Sequence, residues 1–260
     1  MRKLLKFIDK LLFNSFFYNL IQKFRIDLQK KKNRKFLVKK KLSYNYMVVD
    51  YNNFRNNFLD LCEKYGSDKG GSSKNVAFKH WPHNYSDYYD NIFFDKRSDF
   101  LKVFECGIGT NNKDMPFNMG SNANPGASLK VWRDYFFNAR IFGADIDKSV
   151  LFQEDRIKTF YVDQRSEESV IQMWKNIDQD NFDLIVDDGY HQFDANICLF
   201  ENSINYLSKN GFYIIEDISE NDINDFYLYF QNKKFRFNFV NLFNEKYILQ
   251  NNILVIRNIN

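Results

Sequence analysis

Leu184-Ile185-Val186-Asp187-Asp188-Gly189-Tyr190-His191 is an apolar run that ends in two acids, a turn residue and a histidine. A second run, Phe212-Tyr213-Ile214-Ile215, ends the same way, in Glu216-Asp217. Short apolar runs bounded by turn residues read as strands buried on both faces, the mark of a parallel sheet. In open α/β sheets ligands sit beyond the carboxyl ends of such strands. Acids at neighbouring strand ends, with His191, would therefore project into one crevice, where they repel one another unless a cation is present. Hard oxygen ligands suit Mg²⁺ or Mn²⁺. The plainer reading makes Asp188 and Asp217 caps of the helices that follow. The adjacent acids and the nearby histidine weigh against it.

Further strands are expected at 100–105, 141–145, 159–162, 182–186 and 211–215, with helix-length stretches at 128–138, 166–177 and 193–208. This alternation predicts a Rossmann-like, doubly wound α/β sheet that is mostly parallel. Residues 235–243 and 247–257 are β-rich runs around Asn244-Glu245, an antiparallel C-terminal strand pair at one sheet edge. Ahead of the sheet, residues 50–64 have an amphipathic helical pattern. The turn-rich Tyr65-Gly66-Ser67-Asp68-Lys69-Gly70-Gly71 and the aromatic segment around His80, His83 and Tyr85 follow it. Three parts result: a basic amphipathic helical arm over 1–49, a helical and loop cap over 50–99, and the Rossmann-like domain over 100–260.

The 260 residues are 44% hydrophobic and 18% aromatic, ample for one large core. Cys62, Cys106 and Cys198 are far apart and odd in number, which fits a reducing cytoplasm and plain core positions. The formal charge of +4 hides an asymmetry. Residues 1–41 carry 14 Lys/Arg against two acids, a net +12, which leaves −8 for the remainder. An acidic domain speaks against nucleic acid as the partner, since phosphate contacts need Lys and Arg clustered on the binding face. In the arm, Leu4, Leu5, Ile8, Leu11, Leu12 and Phe16 recur at helical steps, but Asp9 and Lys10 interrupt them too early for a membrane span. No small-residue cleavage site follows. Two readings stay open: peripheral contact with an anionic membrane at its inner face, or packing on the domain or on a partner subunit of a homo-oligomer.

Glu105-Cys106-Gly107-Ile108-Gly109 places glycines directly after the first sheet strand, where the backbone turns and approaches a ligand closely. In Gly143-Ala144-Asp145-Ile146-Asp147, Asp145 can accept from ribose hydroxyls, with the Asn/Gly/Pro-rich loop 110–127 accounting for its distance from the glycines. Asp163-Gln164 can read an adenine edge, or Asp163 can cap a helix. A third glycine at dinucleotide spacing and a P-loop are both missing, so a nucleoside without a phosphate chain fits best, with S-adenosylmethionine the common one.

In this order, these motifs, with the helix entry Pro125-Gly126-Ala127-Ser128-Leu129, resemble class I S-adenosylmethionine-dependent methyltransferases. They are most similar to the metal-dependent sugar O-methyltransferases of the macrocin and mycinamicin type and to related bacterial surface-polysaccharide enzymes. The resemblance covers residues 65–217. It implies that Glu105, Gly107, Gly109, Asp145, Asp163 and Gln164 line the cofactor, that Asp188, Glu216 and Asp217 bind Mg²⁺ or Mn²⁺, and that His191 is the general base. Asp187 is assigned to the cofactor or its loop rather than to the metal. Tyr190 stands where a small Ser is common, which reshapes the acceptor pocket. Lys69, His80, His83 and Tyr85 either close over the site or serve as packing and loop residues. The expected acceptor is a small molecule or glycan precursor. The alternatives are a capsule phosphoryl or phosphoramidate modification, a metal-independent enzyme, or a non-catalytic S-adenosylmethionine-binding protein.

Overall fold

Among the described residues nine strands form one sheet: β1 (Tyr46–Val49), β2 (Lys102–Cys106), β3 (Arg140–Asp145), β4 (Gln153–Glu154), β5 (Ile157–Tyr161), β6 (Phe182–Asp187), β7 (Leu207–Ile218), β8 (Arg236–Leu242) and β9 (Asn252–Arg257). The helices described from Met47 onward are α1 (Asn57–Tyr65), α2 (Tyr85–Phe93), α3 (Ala127–Tyr135), α4 (Glu167–Ile177), α5 (Phe193–Ser203) and α6 (Ile223–Phe230). This computed structural model describes residues 55–70, 82–115, 118–219, 221–242 and 251–258, together with Phe24, Leu28 and the backbone of 46–49. The chain divides into two units, Met1–Tyr46 and Met47–Asn260. In the first, Phe24 and Leu28 are helical and exposed. The other residues of the basic arm up to 45, His80 and the Asn244-Glu245 turn lie outside the described residues, while Tyr46–Val49, expected as the end of the helical arm, forms a strand. Among the described residues no helix is long and apolar enough to cross a membrane.

The strand order is β1-β8-β9-β7-β6-β2-β3-β5-β4. From β7 through β5 every pairing is parallel, as the unbroken apolar runs predict. The C-terminal pair is antiparallel, with β9 inserted between β7 and β8. The sheet is thus the Rossmann-like, mostly parallel one expected from the sequence.

Side chains alternate across the strands, so each strand feeds two cores. Val103, Leu184, Val186 and Ile214 face α1, α2 and α3, where Phe58, Tyr89, Phe93 and Trp132 fill the space. Phe104, Phe182 and Tyr213 face the other way, against Trp174 of α4 and Phe200 of α5. Local signals set the helix ends. Asn56 caps α1 by accepting from the Leu59 N–H, and Gly66 ends it at φ 75°. Ser166 caps α4, with Glu167 and Glu168 in the first turn and Lys175 in the last, each favourable to the helix dipole.

Some boundaries differ from the expectation. The helix expected over 193–208 stops at Ser203, because Leu207 already begins the twelve-residue β7. The strand expected from residue 100 starts at Lys102, since Asp183 takes the N–H groups of Leu101 and Lys102. Helices α2 and α6 were not expected. Both are short, and their aromatic residues at helical spacing also suit a strand or loop.

Candidate functional site

Register aligns the strand ends. Cys106 lies opposite both Ala144 and Asp187, and Asp187 opposite Ile215. The residues just beyond, Gly107, Asp145, Asp188 and Glu216, therefore follow one another along a single rim. Gly107 has φ 85°, and a Cβ there would lie 2.1 Å from the Asp188 carbonyl oxygen. Only glycine lets the two loops pass so closely. The Ile108 N–H donates to Asp145 Oδ2 at 2.9 Å, and the Asp147 N–H to Oδ1 at 2.9 Å. These bonds fold the glycine loop over a hollow of about 250 Å³. Gly107, Gly109, Asp145, Asp163 and Gln164 line one part of it; Asp188, Tyr190, His191 and Asp217 line another.

Two of these residues are held in an uncommon backbone state. His191 has φ 52° and Asp217 φ 55°. Side chains adopt this region at a cost, and such residues gather where a structure over-determines them. Strict alternation would send Asp217 to the face opposite Asp188. The turn at Asp217 brings the two together instead. One ligand atom each from Asp188, His191 and Asp217 lies within 4.8 Å of the others. His191 Nε2 is 4.0 Å from Asp217 Oδ2. The Tyr85 hydroxyl donates to Asp217 Oδ1 at 2.5 Å, and His83 Nε2 lies 3.4 Å from the same oxygen. Burial raises the Asp217 carboxyl, but His83, His191 and Tyr85 outweigh it and hold it below the usual carboxylate value. His83 and Tyr85 therefore belong to the site's walls.

Glu216 takes another course. Its Oε2 is 2.5 Å from Lys69 Nζ, and its Oε1 accepts from the Tyr89 hydroxyl. It is fully buried and stays on the α1–α3 face, so it does not join Asp188, His191 and Asp217. Glu105 is also buried behind the wall: Ser128 Oγ donates to its Oε1 at 2.5 Å, and the Trp132 indole N–H donates to its Oε2. Asp187 points to the α4–α5 face, where Gln164 Nε2 donates to its two oxygens at 2.7 and 2.9 Å and Asn196 Nδ2 at 2.9 Å. Burial pushes its carboxyl up to about 7. The Gln164 carbonyl takes the Tyr190 N–H at 2.8 Å, so both ends of that amide serve the protein. Asp163 holds Arg165 through both oxygens, each contact 2.9 Å. Thus Glu105, Asp187 and Glu216 support the rim from behind rather than facing the hollow.

Lys69, left open between lid and loop, is the main surprise. Only 1% exposed, it contacts Asp188 Oδ2 at 2.7 Å as well as Glu216, and stands 3.7 Å from Glu105. Burial lowers its ammonium's pKa, and the carboxylates Asp188, Glu105 and Glu216 more than reverse this, holding it well above lysine's ordinary value. The signal for it in the sequence was indirect: crowded buried acids need a cation.

This is a Rossmann-like methyltransferase fold. It is shared with an O-methyltransferase from Bacillus cereus in complex with SAH, over 79% of this chain and 92% of that chain, with a TM-score of 0.51 and 11% identity. In sequence the chain resembles sugar O-methyltransferases of the macrocin and mycinamicin type. It is 31% identical over 162 residues to 8-demethyl-8-(2-methoxy-alpha-L-rhamnosyl)-tetracenomycin-C 3'-O-methyltransferase of Streptomyces olivaceus, covering 61% of this chain and 36% of that protein. It is 29% identical over 163 residues to mycinamicin VI 2''-O-methyltransferase of Micromonospora griseorubida, covering 61% and 35%. The chain thus spans a little over a third of the length of these curated relatives. No protein-family model matches it.

Proposed function

We propose that this chain is an S-adenosylmethionine-dependent O-methyltransferase that methylates a hydroxyl of a sugar or glycan precursor. The supporting observation is the corner of Asp188, His191 and Asp217 on the wall of a glycine-floored hollow. The relatives, named for methylating sugar hydroxyls on natural products, support the acceptor class.

S-adenosylmethionine supplies an electrophilic methyl on a sulfonium. Gly107 and Gly109 let the backbone approach its adenosine part, and Asp145, whose carboxylate keeps lone pairs beyond the two N–H groups it accepts, faces the ribose. Two carboxylates and an imidazole nitrogen within 4.8 Å are a donor set that fits Mg²⁺ or Mn²⁺. Asp188 and Asp217 would hold such an ion, and its charge would lower the pKa of an acceptor hydroxyl. His191 takes the acceptor's proton at Nε2, and the neighbouring Asp217 carboxylate stabilises the imidazolium. The walls supply alignment of the hydroxyl with the methyl–sulfur axis.

His191→Ala should leave SAH affinity within about twofold and cut turnover by about 10²-fold or more; unchanged turnover removes the base. The closeness of the three donors favours a second reading, with His191 as a third ion ligand. In that case His191→Ala loses Mn²⁺ binding along with turnover, whereas a base mutant keeps it. Chelator should abolish activity and Mg²⁺ or Mn²⁺ restore it; full activity in chelator removes the ion.

A further inference from the structure

The expectation that the Gln164 amide reads an adenine edge meets a side chain already in use at both ends. Gln164 is 5% exposed and stands beside Asp163 on the wall of the hollow. Its Nε2 donates to both oxygens of Asp187 at 2.7 and 2.9 Å, and its Oε1 accepts the Tyr190 N–H at 2.8 Å. A backbone N–H can only donate, so the amide oxygen must face Tyr190 and its nitrogen must face Asp187. Asp187 ends β6 and also accepts from Asn196 Nδ2 of α5 at 2.9 Å, which closes the loop between them at its base. Gln164 supports the same loop in its middle, from beyond the end of another strand. A Cβ at Gly189 would lie 2.1 Å from Gln164 Oε1. That oxygen cannot swing aside without giving up Tyr190 or turning the nitrogen away from Asp187. Gln164, Asp187 and Asn196 are all buried, and none belongs to the corner of Asp188, His191 and Asp217.

We propose that Gln164 is a positioning residue, a strut that holds the Gly189-Tyr190 turn and thereby fixes where His191 stands, and that its side chain does not read the purine. A purine that bonded to this amide would strip a partner from Asp187 or from Tyr190, and a buried group left unpaired costs more than the new bond returns. The N–H that the strut holds belongs to the residue directly before His191, so little backbone lies between the support and the imidazole. Asp187 is the strut's anchor, and Gly189 leaves it room. The inference rests on the reading that the hollow takes S-adenosylmethionine and that His191 acts there.

The test uses the full chain with SAH and with S-inosylhomocysteine, in which a carbonyl oxygen replaces the purine's 6-amino group. Calorimetric titration gives the two affinities, and amide hydrogen exchange at Tyr190 and His191, read by NMR, reports the turn. The first variant is Gln164→Met. The second combines Gln164→Glu with Asp187→Asn, which reverses the polarity of the contact and keeps its shape: the carboxylate accepts both from Tyr190 and from the new amide. Gln164→Met should exchange at Tyr190 and His191 about tenfold faster or more. It should change both affinities by the same factor, keeping the wild-type preference between the two ligands within about twofold. The reversed pair should return exchange and both affinities to within about threefold of wild type. A wild type that binds no SAH sinks the cofactor reading, and this inference with it. A wild type that binds SAH, beside a Gln164→Met whose preference for SAH shrinks tenfold or more, makes Gln164 a purine reader and overturns this inference alone. So does unchanged exchange at Tyr190 and His191. If Gln164→Met does not fold, the reversed pair decides: wild-type exchange and preference support the strut, and fast exchange or a lost preference overturns it.

Discussion

His191 and Asp217 show how single residues build this site. Each adopts a positive φ, and each thereby turns its side chain toward Asp188. Asp217→Asn keeps the shape and tolerates that backbone state, so it should lower the melting temperature little while weakening Mn²⁺ binding about tenfold or more, as calorimetric titration would measure. Gly107 is constrained more severely. Its φ of 85° and the Asp188 carbonyl at 2.1 Å from a Cβ leave an alanine no relief, because the obstacle is backbone. Gly107→Ala should cost about 2 kcal/mol or more in urea unfolding. A cost near zero would mean that the loop re-forms freely. The acids and glycines of the rim were legible because each follows an apolar run. The split of Asp187 from Asp188 was already drawn with the family resemblance; that of Glu216 from Asp217 was not legible, since it depends on strand alternation and on one unusual φ.

At the scale of elements, α1 and α2 pack against each other behind the site's rim, through the Phe58 and Tyr89 rings and through one cap contact. Asn56, the N-cap of α1, donates from Nδ2 to Asp87 Oδ1 of α2 at 2.9 Å. Asn56→Ala should destabilise the fold by about 1–2 kcal/mol, the usual range for a lost cap. Burial pushes the Asp87 carboxyl up to about 6, against the Asn56 hydrogen bond and with the charge of Asp90. A carboxyl raised on folding favours the folded state while protonated. Its contribution is therefore complete below the unfolded value near 4 and is lost as pH rises through about 6. Asp87→Asn should flatten that part of the stability–pH curve; an unchanged slope would assign it to other groups. The long central strands and α4 were readable from periodicity and caps. Helix α2 was hidden because Tyr85, Tyr88, Tyr89 and Phe93 are aromatic, a composition common to strands.

Across the whole molecule, ligands that bind only the folded state should stabilise it by mass action. SAH at a hundred times its dissociation constant should add about 2.7 kcal/mol, a rise in Tm of roughly 5–10 °C for a chain of this size. Mn²⁺ should add a further shift, lost in Asp188→Asn; a melting curve indifferent to both ligands would count against the site. The amino-acid order alone determined the parallel sheet, the glycine turn after its first strand and the acids at the strand ends, because apolar runs, glycine and charge act over a few residues. Packing decided which of those acids meet. Lys69 lies 119 residues from Asp188 and 147 from Glu216 in the chain. Its role exists only once α1, α2 and the sheet close around it, since only a buried ammonium acts on its neighbours with so little screening by water.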